Sequence, residues 1–278
     1  MTAFLHLPSG ETASSFGRRP FALSHELATH PLVAPEALAE LADSLPADEV
    51  EHNSGQVGAV APDGSLPQAD LSPSEIVRTI ETNTCWIVLP IHHAPAYREL
   101  FEALFDEVRP HLPAAHGDIV RRQAVFFLAT GGSTTPAHID LEHGLLLHLR
   151  GEKEVRIGGF PDAATAQQKI ERMHLGEHRN VAEAPHDARC FELRPGDGVH
   201  IPAFTPHVVH TAGGQVSLPL TIAMKTEATM RESAVHRANA HLRRLGLRPR
   251  RPGVSPRSDR VKHRLVEAVG AARRRRAA

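Results

Sequence analysis

The stretch Thr134–Ile157 reads TTPAHIDLEHGLLLHLRGEKEVRI, and its pattern decides the fold. It is built largely of apolar and β-compatible residues and predicts a hairpin. Residues two apart on a strand share a face, which sends His138 and Asp140 one way and Ile139 the other. Along the second half, Lys153, Val155 and Ile157 share the inward face while Glu154 and Arg156 look outward. A buried imidazole, carboxylate or ammonium is costly unless a partner, a metal or a bound anion compensates it. The hairpin therefore asks for chemistry as well as packing.

Outward from this hairpin the texture stays β-like. From Ala124 the runs AVFFLAT, AHID, GLLLHL, KEVRI, CFELR, GVHIP, HVVHT and QVSLPLTIAM are short and separated by glycine, proline and polar residues. Such spacing predicts a sandwich or jelly roll, with a helical insertion near ATAQQKIERM. Pro219 cannot donate to a ladder, so its strand is expected at an edge or with a bulge.

Upstream, a short proline-bounded helix is predicted within residues 31–45, followed by a long surface loop over GQVGAVAPDGSLPQADLSP. Ser72, Pro73 and Glu75 form a capping-box signature that predicts a helix to about Glu81. CWIVLPI reads as a buried strand, and Leu100, Phe101, Leu104, Phe105 and Val108 recur at helical spacing from about Pro95. After Lys225 the pattern turns helical again, with sparse apolar positions at Leu242, Leu245 and Leu247 and then at Val261, Leu265, Val266 and Val269. Three regions are expected: 1–120, mixed and packed on the core; 121–225, the β core; and 226–278, a helical arm.

At 278 residues and 41% hydrophobic content the chain can bury a large core. Cys85 and Cys190 are the only cysteines, which excludes a disulfide scaffold and a C-x-x-C site. A basic start followed by an apolar run is absent, and no apolar run spans a bilayer, so the expected location is the cytoplasm. The net charge of −1 hides an asymmetry: Thr226–Ala278 holds 14 Arg and one Lys against four acids, a net +11, while the preceding residues hold 16 basic and 28 acidic side chains, a net −12. Such an arm can bind nucleic acid, or dock on the acidic body of its own chain or of a second subunit. It lacks interleaved aromatics and a DNA-reading motif, which makes docking the preferred reading.

A pair such as His138 and Asp140 can hold a metal, although His116 and Asp118 show the same spacing. Three further features single out the first pair. Lys153 in the inward register loses its charge or needs a buried anion, which a carboxylate-bearing ligand supplies, unless it begins its strand and reaches back to water. Thr135, just upstream, can donate a hydroxyl to the same anion. In PGDGVHIPAFTPHVVH a Gly-Asp-Gly turn leads into one strand and His207 begins the next. His207 and His210 are three apart and face opposite sides, so His207 is chosen as the third ligand. Two histidines and one carboxylate leave three coordination positions open and suit non-haem Fe(II) oxygen chemistry.

TTPAHID, LLLHLRGEKEV and GDGVHIPAFTPHVV, taken together, resemble the JmjC or cupin-like class of Fe(II)- and 2-oxoglutarate-dependent hydroxylases, particularly its asparaginyl-hydroxylase branch. The likeness spans roughly Val125 to Lys225. It implies a mainly β fold with a double-stranded β-helix core, flanked by N-terminal α/β elements and a helical C-terminal arm. It also implies Fe(II) held by His138, Asp140 and His207, and 2-oxoglutarate whose far carboxylate is held by Lys153 and Thr135. The expected activity is that of a dioxygenase hydroxylating a C–H bond of a peptide or protein side chain, with molecular oxygen as co-reactant and a homodimer formed through the arm. Gly144 and Tyr97 depart from the branch, since Gly144 stands where it has an asparagine and Tyr97 is the only tyrosine; Thr221 is placed near the site by analogy. His143, His148, His200 and His210 are read as structural or surface histidines.

Other readings compete with this one. A small metabolite can replace the protein substrate. HLGEH places His174, Glu177 and His178 in the pattern of some zinc proteases, which requires a continuous helix that Gly176 opposes. A non-catalytic sensor with a DNA-binding arm is the non-enzyme alternative.

Overall fold

The structure is a computed structural model that describes residues 3–54 and 70–277. Most of the long loop expected after Ser54 lies outside the described residues. In chain order the strands are β1 (Leu5–His6), β2 (Phe21–His25), β3 (Glu51–Ser54), β4 (Cys85–Pro90), β5 (Ile119–Ala129), β6 (Thr134–His138), β7 (His143–Arg150), β8 (Lys153–Gly159), β9 (His186–Leu193), β10 (Asp197–Ile201), β11 (His207–Thr211) and β12 (Leu218–Thr226). The α-helices are α1 (Ser9–Ser15), α2 (Pro35–Ser44), α3 (Pro73–Arg78), α4 (Arg98–Val108), α5 (Ala163–Met173), α6 (Glu227–Arg244) and α7 (Pro256–Ala277).

Two antiparallel sheets form the expected jelly roll. The larger has the order β1-β2-β10-β7-β12-β5-β4-β3 and the smaller β6-β11-β8-β9. Strand β7 shows why its sequence is so uniformly apolar. Leu145, Leu147 and Leu149 belong to the cluster that packs under α2 and α4, while Leu146 on the opposite face joins Val155, Ile157, Phe191 and Val209 of the smaller sheet. A strand covered on both faces has no polar side, so alternation is lost. The inner face of the larger sheet is left to close over the smaller one.

The N-terminal region adds strands to both flanks of the larger sheet: β1 and β2 beside β10, β4 and β3 beside β5. Of these, only β4 is marked by a conspicuous apolar run. The capping box of α3 forms as expected, with Ser72 Oγ accepting from Glu75 N–H and Glu75 accepting from Ser72 N–H at 2.9 Å. The helix stops at Arg78 instead of Glu81. Asn83 Nδ2 donates to Ile76 O at 3.0 Å and satisfies a terminal carbonyl that a longer helix would have used. Helix α4 buries the five apolar residues of its periodic face and is preceded by a 3₁₀ turn at Pro95–Tyr97.

Pro219 sits inside the larger sheet, because β12 lies between β7 and β5. This corrects the edge reading and bears out the bulge: the register against β7 shifts between Leu218 and Pro219, and the pairing with β5 is interrupted between the Ser217–Ala129 bridge and Leu220. The irregular end of the ladder accommodates the missing N–H. The arm packs α6 on α5 and α7 on α6. No helix among the described residues is long and apolar enough to cross a membrane.

Candidate functional site

His207 opens β11 directly opposite His138, the last residue of β6. The chain then carries Asp140 back over the same face, where Phe204 N–H donates to Asp140 O at 2.7 Å and fixes the turn. One ligand atom from each of His138, Asp140 and His207 lies within 4.8 Å of the others, the only such cluster among the described residues. Asp140 Oδ2 is 3.9 Å from His138 Nε2 and 3.5 Å from His207 Nε2. Ile139 points the other way, into a cluster with Ala137, Ile170 and Val181. The alternation read from the sequence holds.

Backbone carbonyls set the histidine tautomers. His138 Nδ1 donates to Pro136 O at 2.7 Å, and His207 Nδ1 donates to Thr205 O at 3.0 Å. A carbonyl only accepts, so the proton sits on Nδ1 and the Nε2 lone pair faces the cluster. Burial, reinforced by His207, pushes His138 well below the ordinary histidine range, and burial also lowers His207. Burial on its own raises the Asp140 carboxyl. The Arg179 guanidinium and the two imidazoles outweigh it and hold the carboxyl below its usual value. Two neutral imidazoles and one carboxylate are therefore ready for a divalent cation without first losing protons.

Arg179 escaped the sequence reading. Its Nη1 donates to Asp140 Oδ1 at 2.9 Å, and its backbone O accepts from Ile139 N–H at 3.1 Å. The segment around it runs antiparallel to β6, with His138 bridged to Asn180. An arginine 41 positions after His138, outside any regular element, gives no periodic signal.

Lys153 is the other decisive side chain. It is 6% exposed and lines the same cavity as the triad, a space of about 230 Å³ between the two sheets. No acid among the described residues pairs with it, and burial alone brings its ammonium down to about 7. The ladders order the cavity. His138, His207 and Ile157 form one row, Thr135, Val209 and Val155 the next, and Thr211 and Lys153 the last. The triad and the lysine thus sit at opposite ends, with Thr135 between them and lining the cavity.

On the facing sheet, Gly144, Ala223 and Gln123 form a row with small central members, and Thr221 lies one row deeper. A Cβ placed on Gly144 would meet nothing closer than 3.8 Å, so the missing side chain leaves open space. Tyr97 is elsewhere. Its hydroxyl donates to Leu32 O and Ala37 O in the core under α2, and burial pushes it up to about 12.

The remaining histidines have structural partners. His143 Nε2 meets Thr229 Oγ1 at 2.8 Å, His148 Nε2 meets Gly151 O at 2.9 Å, His200 stacks between Phe16 and Phe21, and His210 Nδ1 lies 3.0 Å from Thr134 Oγ1 on the surface. The zinc-protease reading fails on geometry. Helix α5 ends at Met173, Gly176 adopts φ +99°, and Glu177 is paired with Lys169 at 2.7 Å.

Residues 108–231 match the JmjC domain family. No curated protein matches the chain in sequence. Among solved structures, that of ycfD from E. coli superposes with a TM-score of 0.55 at 19% identity, covering 96% of this chain and 68% of that one. A crystal structure described as Escherichia coli ribosomal oxygenase YcfD gives a TM-score of 0.51, also at 19% identity and with the same coverage. At such identity the likeness is one of fold.

Proposed function

We propose that the protein is an Fe(II)- and 2-oxoglutarate-dependent dioxygenase that hydroxylates a C–H bond of a peptide or protein side chain. The observation that carries this reading is Lys153, a buried ammonium with no counter-ion among the described residues, lining the cavity that also holds the His138–Asp140–His207 triad. A metal alone would leave Lys153 uncompensated, and a monocarboxylate at the lysine would leave the open metal positions unused. A dicarboxylate with a chelating 2-oxo group satisfies both ends. Four residues of β8 separate the row of Ile157 from Lys153, roughly 13 Å of strand, which the lysine side chain and a five-carbon diacid fill between them. The JmjC match and the named oxygenase with the same fold support the reading, and that name also favours a protein substrate.

When bound, Fe(II) supplies with 2-oxoglutarate and dioxygen the oxidising power for hydroxylation, releasing succinate and carbon dioxide. The chain's part is placement. Pro136 O and Thr205 O aim the two imidazoles, and Arg179 occupies one oxygen of Asp140 so that the other faces the metal. Lys153 and Thr135 hold the far carboxylate, while Leu146, Val125 and Val209 keep the walls dry. Residues 121–225 form the catalytic core in this reading, 1–120 pack on it, and 226–278 form the arm. The exposed stripe of Val261, Leu265 and Val269 on α7 supports pairing of two copies through the arm. Two free cysteines suit the reducing cytoplasm.

The test is succinate formation from 2-oxoglutarate under air. It should require added Fe(II), stop with a chelator, and vanish in His138→Ala and His207→Ala. Undiminished turnover in both variants would remove the assignment.

A further inference from the structure

Charge on the arm is distributed in a way that docking on the body does not explain. Between Arg243 and Ser258 the sequence holds six arginines and no acid. Among the described residues a single ion pair joins arm to body, Arg243 to Glu171 at 2.7 Å. The arm's other pairs are internal: Arg231 with Glu227, His236 with Glu232, Lys262 with Asp259, and His263 with Glu267. Arg248, Arg250, Arg251, Arg257, Arg260 and Arg264 are all exposed and, among the described residues, have neither an ion pair nor a side-chain hydrogen bond. Among the described residues, these six arginines are not neutralised by the acidic body.

The backbone under these arginines is held in place. Arg250 O accepts from Asn239 Nδ2 at 3.0 Å and from Lys262 Nζ at 3.2 Å, and Gly253 N–H donates to Asp259 Oδ2 at 2.8 Å. These contacts lock the α6–α7 connection against both helices. The arm's one lysine is turned inward and buried, so every outward cation of the connection and of the first turns of α7 is a guanidinium. Arg257, Arg260 and Arg264, three and four residues apart, share one stripe of α7 about 10 Å long.

We propose that this face binds the phosphate backbone of a nucleic acid. A fixed row of unpaired guanidiniums matches phosphate oxygens in forked pairs, and its uniform sign suits a polyanion of regular charge spacing. With no aromatic side chain among the arginines, bases are not stacked, so recognition is of the backbone and independent of sequence. The proposal is separate from the oxygenase reading. It uses no residue of the cavity and stands whether or not the triad holds iron.

The experiment is fluorescence anisotropy of the full chain with a labelled DNA duplex of about 20 base pairs and with its RNA counterpart, over roughly 50 to 200 mM salt. Six phosphate contacts predict a slope of about −5 in log affinity against log salt on DNA, and Arg257→Ala/Arg260→Ala/Arg264→Ala should roughly halve it. The corresponding triple Glu variant should abolish binding while succinate formation stays unchanged. Binding to one nucleic acid or to both upholds the proposal, and their ratio tells which is the natural polyanion. Absence of binding to either at the lowest salt overturns it, as does binding that the Glu variant leaves intact. Loss of self-association in the Glu variant without any nucleic-acid binding would assign the arginines to a second copy and also overturn it.

Discussion

Arg179 Nη1 donates to Asp140 Oδ1 at 2.9 Å, while Asp140 Oδ2 lies 3.5 Å from His207 Nε2. One carboxylate oxygen is engaged by the guanidinium and the other is aimed at the cation position, an arrangement that favours ligation through a single oxygen. Asp140→Asn keeps the shape and gives up the charge. Its affinity for Co(II), measured calorimetrically on the metal-free protein, should fall at least tenfold. Wild-type affinity in this variant would take Asp140 out of the ligand set.

The depressed histidines give a pH signature. Protons compete with a metal for an imidazole only below the imidazole's own pKa, and burial places both ligands under the ordinary value of 6.5. Affinity for Co(II) should therefore change little between pH 7.5 and pH 6, where two ordinary histidines would cost about tenfold. A tenfold loss over that interval would mean that the imidazoles are hydrated and unshifted.

Lys153 titrates near 7 when no anion is present, against 10.5 for a free lysine. Below pH 7 the folded and unfolded chains both carry the charge, and the folded one bears the full cost of burying it. As pH rises through 7 the folded chain sheds the proton while the unfolded chain keeps it up to 10.5, so this residue makes stability rise with pH across that window. Binding of a dicarboxylate must then take up a proton, and 2-oxoglutarate affinity should weaken above pH 7. Lys153→Met should lose about tenfold to a hundredfold in that affinity at pH 7, lose the alkaline dependence, and raise the ligand-free melting temperature at pH 6. An unchanged dissociation constant would break the link between Lys153 and the diacid.

Two glycines of the hairpin should behave in opposite ways. Gly151 turns β7 into β8 at φ +81°, and a Cβ there would lie 2.3 Å from Val216 O. Gly144 has its nearest neighbour at 3.8 Å. Gly151→Ala should cost about 1–3 kcal/mol or more and lower the melting temperature by several degrees, whereas Gly144→Ala should stay within about 0.5 kcal/mol. Equal shifts in thermal melts would contradict the turn geometry.

Much of the site was legible because strand alternation is a local property. His138 and Asp140 two apart, and Lys153 in phase with Val155 and Ile157, follow from the two-residue repeat of an extended chain. The eight core strands announce themselves through apolar runs between turn residues. The short β1 and β2 do not, since a two-residue strand and the five residues of FALSH gain their identity from pairing with one another and with β10. Helix α3 ended earlier than its cap suggested because a side chain seven residues downstream, Asn83, claimed a carbonyl of Ile76.

The sequence by itself determined the two-faced hairpin, the inward placement of its ionisable residues and the segregation of positive charge into the last 53 residues, because each depends only on neighbours along the chain. Tertiary structure alone decided that Arg179 grips Asp140 and that, among the described residues, Lys153 has no acid paired with it and Arg248, Arg250, Arg251, Arg257, Arg260 and Arg264 stay unpaired. Those are distances between segments far apart in sequence, set by how two sheets and three helices pack, and no local periodicity encodes them.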